Sequence, residues 1–303
     1  MDRLQAMGIF VAVAETESFS AAARRLGISP PAVTRAVAGL EAHLGTKLLN
    51  RTTRFVRVTE AGQRYLEACR RIIAEADEAD EIATGIHAEP RGHLAVTAPV
   101  MFGRLHVMPG IVEYLRRYPD MEVSALFVDR VVNLLEEGQD VGIRIGELPD
   151  SNMKARRVGN IRRVLCAAPG YLSRQGIPKT PSALQHHSLV VASAVSPTVE
   201  WSFADRQKSI SVRTRPRLQV SSNDGAIAAA VAGLGITRLL SYQIAPQLAA
   251  GELEIILADY ETRGLPVHIV HREGRYTSAK VRAFVDLMVD QLQTNLPENT
   301  SSI

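Results

Sequence analysis

Apolar and polar positions change their period several times along the chain, and each change marks a different kind of element. Leu4, Met7, Phe10, Val11, Val13 and Ala14 recur at helical spacing, which predicts a first helix with one face turned to a core. Ser18 or Ser20 can cap the next helix, where AAARRL supplies small residues that let a neighbouring helix cross closely. Gly27 gives the backbone freedom for a sharp turn, and Ser29 offers a cap oxygen to a following helix whose first turn tolerates Pro30 and Pro31. In that helix Val33, Val37, Leu40 and Leu44 form the buried stripe, leaving Thr34, Arg35 and Ala38 to face outward. The run KLLNRTTRFVRVT then alternates as strands do, predicting a two-stranded wing with Arg51, Thr52, Thr53 and Arg54 around its tip.

A long helical stretch from Thr59 to about His87 follows, with Tyr65, Cys69, Ile72, Ala76, Ala79, Ala83 and Ile86 spaced alternately by four and three. A seam of that period wants a partner helix, although the same stripe can pack on its own module. Pro90, Arg91 and Gly92 end the stretch like a hinge. Beyond them HLAVTAP, MEVSALFVD and DVGIRIG read as strands, with VMFGRLHVMPGIVEYLRRY and VVNLLEEG as intervening helices. That alternation predicts a mainly parallel α/β sheet with helices on both faces. A similar alternation repeats from about Arg162 to Leu265, and VHIVHRE with the helix VRAFVDLMVDQL can return to complete the first sheet. Two lobes joined by two crossing segments, with a cleft between them, follow from that order.

Charge sharpens the picture of the amino-terminal module. The net charge of the 303-residue chain is only +3, yet Ser20 to Arg64 holds eight basic residues against two acidic ones. Tyr65 to Pro90 reverses the balance, with seven acidic and two basic residues. Positive charge concentrated on one helix-turn-helix with a basic hairpin is the electrostatic footprint of a phosphate-binding module. Within it, Ser29, Pro30, Thr34, Arg35 and Ala38 are the expected groove-facing residues, and Arg51, Thr52, Thr53 and Arg54 the expected phosphate and minor-groove contacts.

Ligands of open α/β sheets bind beyond the carboxyl ends of strands. Here those ends offer Thr97, Ala98, Pro99, Asp129 and Arg144, with Phe102 and the free N–H groups of the helix starting near Val100. Ser193, Asn223, Asp224 and Thr237 are expected to face the cleft from the second lobe. Arg144 and the helix start favour an anionic or polar organic ligand over an apolar one.

Other chemistry finds little support. The AGLGI run around Gly233 and Gly235 lacks a third glycine and follows a helix, so it reads as a helix end rather than a dinucleotide site. Gly27 to Ser29 is a turn and not a nucleophile elbow. Two cysteines, Cys69 and Cys166, are too few and too separated for a disulfide framework or a zinc site, and Cys166 has no resolving cysteine near it. His268 and His271 lie on opposite faces of a strand-like run, and His186 with His187 has no ligand cluster beside it. No catalytic residue, metal or cofactor is expected, and no apolar run is long enough to span a membrane. The composition and the amino terminus point to a reduced cytoplasmic setting.

With those motifs in view, the chain resembles the LysR-type transcriptional regulators over nearly its full length. AAARRLGISPPAVTRAVAGLEAHLGTKLLNRTTR carries the resemblance in the head, and VTAPVMFG, FVDRVVNLLEEGQDVGIRIGELPD and NDGAIAAAVAGLGI resemble the CrgA-like branch of the effector domain. The resemblance implies a winged helix-turn-helix over 1–58, a dimerising linker helix over 59–89 and a periplasmic-binding-protein-like effector domain over 90–303. Its first lobe would take about 90–161 and 267–303, its second about 162–266. It further implies promoter DNA, a small-molecule effector, dimers and tetramers of this chain, and RNA polymerase as partners. Many relatives carry glutamine where this chain has Pro30, larger polar residues at Ala36 and Ala38, and leucine-proline where it has Ser241. Two other readings stay open at the level of sequence: a repressor that needs no ligand, and an enzyme or binding protein with an accessory DNA module.

Overall fold

The computed structural model describes residues 2–51, 56–84, 89–149, 153–192, 200–205, 208–213, 215–272 and 278–296. The chain divides into two compact units, Met1–Glu89 with Leu135–Gly138, and Pro90–Leu134 with Gln139–Ile303.

The first unit opens with helices α1 (Arg3–Thr16), α2 (Phe19–Leu26) and α3 (Pro30–Leu44). Phe10, Val13, Ala22, Val33 and Val37 are completely buried where they meet, and alanine at Ala22 and Ala23 lets the helices approach. Leu4, expected in the core, faces outward instead. Ser18, rather than Ser20, caps α2 by accepting the Ala21 N–H at 3.2 Å. Gly27 turns the chain at φ +64°. Ser29 holds the cap position of α3, but its hydroxyl makes no cap bond, contrary to expectation. Pro30 and Pro31 remove the N–H groups of the first two helical positions, and the Ser29 carbonyl accepts from Ala32 and Val33 instead.

Strands β1 (Leu49–Arg51) and β2 (Val56–Val58) pair antiparallel as the wing, and α4 (Glu60–Thr84) follows, capped by Thr59 Oγ1 on the Gly62 N–H at 2.9 Å. Gly62 is required there, because a Cβ would run into the Leu48 carbonyl. The front of the long helix's apolar stripe is spent inside this unit. Leu66 and Cys69 are buried in the head core, and the Tyr65 ring sits 5.8 Å from Phe10. Tyr65 and Cys69 therefore leave the expected dimer seam. Ile72 is exposed; the side chains of Ala79 and Ala83, and Ile86 altogether, lie outside the described residues.

The second unit is α/β with two lobes, each built on a five-stranded sheet. Strand β3 (Gly92–Ala98) leads into α5 (Val100–Phe102), one wide turn over Gly103–Val107 and α6 (Met108–Arg117), which together form one continuous helical segment. Pro109 brings no N–H to the ladder, and the wide turn lies just ahead of it. Strands β4 (Met121–Phe127), β5 (Val141–Ile145) and β6 (Met153–Ile161) complete the amino-terminal contribution to lobe I.

Lobe II takes β7 (Arg163–Ala167), α7 (Pro169–Gln175), β8 (Leu189–Ala192), the hairpin of β9 (Glu200–Asp205) and β10 (Lys208–Arg213), and β11 (Leu218–Val220). It continues with α8 (Asn223–Val231), β12 (Ile236–Leu240), α9 (Ala245–Ala249) and β13 (Glu254–Ile256). The chain then returns to lobe I as β14 (Leu265–Arg272) and α10 (Ala279–Asn295). The lobe I order is β4-β3-β5-β14-β6 and the lobe II order β11-β8-β12-β7-β13.

Four strands of each sheet run in one direction and one runs against them: β14 is antiparallel to β5 and β6, and β7 to β12 and β13. These two are the strands that follow the crossings between the lobes. One expectation is corrected here. VVNLLEEG is not a helix but a series of turns. Val132 and Leu134 are buried while Val131 and Leu135 are exposed, a two-residue alternation that a helix does not produce.

Candidate nucleic-acid interface and interlobe site

In the head, α3 buries Val33, Ala36, Val37 and Leu40 and leaves Ser29, Pro30, Thr34, Arg35 and Ala38 exposed, as the spacing predicts. Thr34 Oγ1 donates back to the Pro30 carbonyl at 3.1 Å, so its hydroxyl remains available as an acceptor. Arg35 has no ion-pair partner among the described residues. Ala36 is 1% exposed and belongs to the packing face, so its small size is set by helix crossing and has no bearing on base contact. The backbone of Arg51 closes β1; its side chain and the whole of Thr52, Thr53 and Arg54 lie outside the described residues.

Not every basic residue of the head is free to meet phosphate. Arg25 pairs with Glu15 at 2.9 Å, Lys47 with Glu41 at 2.9 Å and Arg64 with Glu60 at 3.4 Å. Glu15 also takes Arg70 from α4 at 3.0 Å, tying the long helix to α1.

Sequence reasoning missed Glu41. Its carboxylate is buried at the base of the wing, accepting the Leu48 N–H at 3.0 Å, the Leu49 N–H at 3.2 Å and Lys47 Nζ at 2.9 Å. Thr59 Oγ1 donates to the Lys47 carbonyl at 2.8 Å, so one short segment is held from both its donors and its acceptors. Burial pushes the Glu41 carboxyl upward, but the bonds from Lys47, Leu49 and Leu48, with the Lys47 charge, outweigh it and leave it below its ordinary value. The signal was present in sequence: Glu41 stands four residues after the buried Val37, on the apolar stripe.

The two lobes of the regulatory half interlock. Met101, from α5 of lobe I, packs in the core of lobe II, while Leu240, from β12 of lobe II, packs in the core of lobe I. Phe102 meets the Tyr242 ring edge-on at 5.3 Å, and His106 lies 4.8 Å from Phe102 and 5.5 Å from Tyr242. Burial lowers the His106 pKa, favouring the neutral ring, and raises that of the Tyr242 phenol. Arg104 reaches Asp224 at the start of α8, 3.6 Å away. At the crossings, Arg162 grips Glu261 with two parallel bonds of 2.8 and 2.7 Å.

The expected ligand residues separate into two groups. Thr97, Asn223 and Thr237 are buried, yet Thr97 Oγ1, Asn223 Oδ1 and Thr237 Oγ1 have no hydrogen-bond partner. Such atoms are rare in folded proteins, and each costs about 1–3 kcal/mol until something bonds it. Ala98 and Phe102 are core residues of lobe I, Pro99 is half-buried, and Ser193 lies outside the described residues.

The anion-favouring features are already engaged. Asp129 Oδ1 accepts the Val100 N–H at 3.0 Å, placing a carboxylate where the helix start was expected to be open. Arg144 Nη2 donates to the Val132 carbonyl at 2.6 Å. Both groups are thus bonded within the protein at this end of β3. Arg104, His106, Tyr242 and the Arg162–Glu261 pair were not singled out from the sequence, because their partners lie in the other lobe or the other crossing.

Cys166 is fully buried and its thiol is pushed up to about 12 by burial, which argues against a thiolate redox sensor. No cluster able to hold a metal occurs among the described residues, and no helix among them is long and apolar enough to cross a membrane.

Comparison with known proteins agrees with both halves. Residues 4–63 match the family described as bacterial regulatory helix-turn-helix protein, lysR family, and residues 87–293 match the LysR substrate binding domain. The HTH-type transcriptional activator AaeR of Escherichia coli is 33% identical over 293 residues, covering 96% of this chain and 94% of its own. An HTH-type transcriptional repressor of Pseudomonas aeruginosa is 33% identical over 298 residues, covering 97% and 94%. The solved structure of CrgA, a LysR-type transcriptional regulator from Neisseria meningitidis, matches 95% of this chain and 98% of its own, with 30% identity and a TM-score of 0.61. A helix-turn-helix head, a two-lobed regulatory half and relatives that match from end to end leave one assignment: the chain belongs to the LysR family of DNA-binding transcriptional regulators.

Proposed function

We propose that the head reads promoter DNA through Ser29, Pro30, Thr34, Arg35 and Ala38, with Arg51, Thr52, Thr53 and Arg54 on the adjoining backbone, and that a small polar organic effector in the regulatory half controls the outcome. The observation that carries the effector is the set of buried oxygens without partners, Thr97 Oγ1, Asn223 Oδ1 and Thr237 Oγ1. A ligand offering hydroxyl, amide or amine donors would relieve them. Asp129 at the start of α5 favours a neutral or donor-rich ligand over a carboxylate on that side.

The chain works in the cytoplasm as a dimer, and as a dimer of dimers, with the rear of α4 supplying part of the seam. An apolar stripe of Leu105, Met108 and Val112, exposed along the α5–α6 segment, supports self-association of the regulatory half as well. RNA polymerase is the partner through which bound protein would act. Its sign is not inherited from relatives, which include an activator and a repressor at equal identity.

The test is a binding titration on the DNA upstream of its own gene and of neighbouring promoters, at several salt concentrations, with and without metabolites selected by thermal shift. Sequence-selective binding that weakens steeply with salt, and shifts with a polar metabolite, is expected. Selective binding that no metabolite alters favours a regulator that needs no ligand, a repressor if transcription falls when it binds; absence of selective binding removes the reading altogether.

A further inference from the structure

Lobe II holds a pair of positive charges that the interlobe reading does not use. Strand β12 pairs with β7 so that Leu240 faces Arg163 and Arg238 faces Leu165. Arg163 and Arg238 are therefore diagonal neighbours on one face of the sheet, about 7–8 Å apart at the backbone and within reach of each other's side chains. Both are only partly exposed. The hairpin of β9 and β10 contributes Trp201 and Phe203 to the same core, and the Arg238 guanidinium lies 4.9 Å from the Trp201 ring centroid. Among the described residues the one hydrogen bond of that guanidinium goes to the Ser202 carbonyl at 3.3 Å, and the Arg163 side chain has none. No carboxylate among those residues pairs with either.

This arrangement is costly as it stands. A charge withdrawn from water needs a counter-charge, and two like charges side by side raise the cost further. Burial first, and then the neighbouring Arg163 charge, bring the Arg238 pKa down to about 9, while burial lowers that of Arg163. Trp201 offers its negative ring face to one guanidinium, which offsets a fraction of the repulsion and neutralises neither charge. Two adjacent forks of N–H donors match the oxygens of a carboxylate or phosphate in shape as well as sign.

We infer that Arg163 and Arg238 form a binding site for a small oxyanion within lobe II, beside Trp201. The site follows directly on Arg162, whose side chain clasps Glu261 at the crossing, so its occupant would sit one residue from the connection between the lobes. It rests on lobe II alone, and its failure leaves the DNA-binding reading intact.

The chain contains one tryptophan, which makes Trp201 emission a site-specific reporter. The full-length protein is titrated with sodium acetate and, separately, with inorganic phosphate, at ionic strength held constant with sodium chloride. A saturable change in Trp201 emission and a rise in Tm are expected with at least one probe, weakened at least tenfold in Arg163→Gln. Acetate alone identifies a carboxylate site, phosphate alone a phosphoryl site, and both a general oxyanion site. Without added anion, Arg163→Gln should melt no lower than the parent, since it removes one of two repelling charges. Emission that does not saturate with either probe, an unaltered response in Arg163→Gln, or a lower Tm of that variant without anion overturns the inference.

Discussion

The base of the wing and the interior of the regulatory half treat buried polar groups in opposite ways. In the head a buried carboxylate, Glu41, receives three donors, while Tyr65 Oη is the head's one buried side-chain oxygen left without a partner among the described residues. In the regulatory half, Thr97, Asn223 and Thr237 each bury an oxygen with nothing bonded to it. A satisfied buried network fixes one conformation, whereas unsatisfied atoms lower the cost of admitting something else. The head is organised to hold a shape and the lobes to accept a partner.

The largest test of that contrast is Glu41→Ala. It leaves the Leu48 and Leu49 N–H groups buried without acceptors, and should cost the head about 3 kcal/mol together with most DNA affinity. Thermal melting followed by helical circular dichroism, alongside a DNA titration, measures both. The same residue predicts a pH dependence. Its folded pKa lies below the unfolded value of about 4.3, so its stabilisation is complete above that value and is lost as pH falls through the lower, folded one. Glu41→Gln should flatten the stability profile in that acidic window and leave the neutral side parallel to the parent.

Arg35→Ala comes next and bears on function rather than shape. It should weaken DNA binding by about 1–3 kcal/mol with selectivity relaxed at one position if Arg35 reads a base, or lower the salt slope by about one if it meets phosphate. The head's Tm should hardly move, because Arg35 is exposed and unpaired among the described residues. Arg162→Gln breaks the paired hydrogen bonds to Glu261; with the arginine side chain 42% exposed, about 1 kcal/mol is the expected loss in urea unfolding. The smallest effect sharpens the comparison most. Thr97→Val removes an unpaired hydroxyl at nearly constant volume and should stabilise the ligand-free protein by about 1 kcal/mol, the lower end of that hydroxyl's cost, while weakening effector-induced thermal shifts.

Local signals accounted for most of the head. Gly27, Pro30 and the Val33, Val37, Leu40 stripe dictate helix boundaries within a few residues of chain, so the exposed face of α3 could be read directly. Ser29 shows where such reading stops: the residue type fits a cap, but Pro31 removes one donor it would serve and the Ala32 N–H goes to the Ser29 carbonyl instead. In the regulatory half the strands were legible from their alternation, yet their directions were not, because β7 and β14 owe their antiparallel sense to where the chain crosses between lobes. The same non-locality hid Asp129 on the Val100 N–H, Arg104 on Asp224, and Tyr242 against Phe102. Each joins residues far apart in sequence, and no periodicity records such a meeting.

The Arg162–Glu261 pair has a mechanical consequence. The polypeptide passes between the lobes twice, and this pair rivets the outgoing passage to the returning one. Two strips fastened side by side resist sliding and stretching far more than torsion about their shared length. A rearrangement that slides one passage along the other must therefore open the rivet first, whereas bending or torsion about the pair can leave it closed.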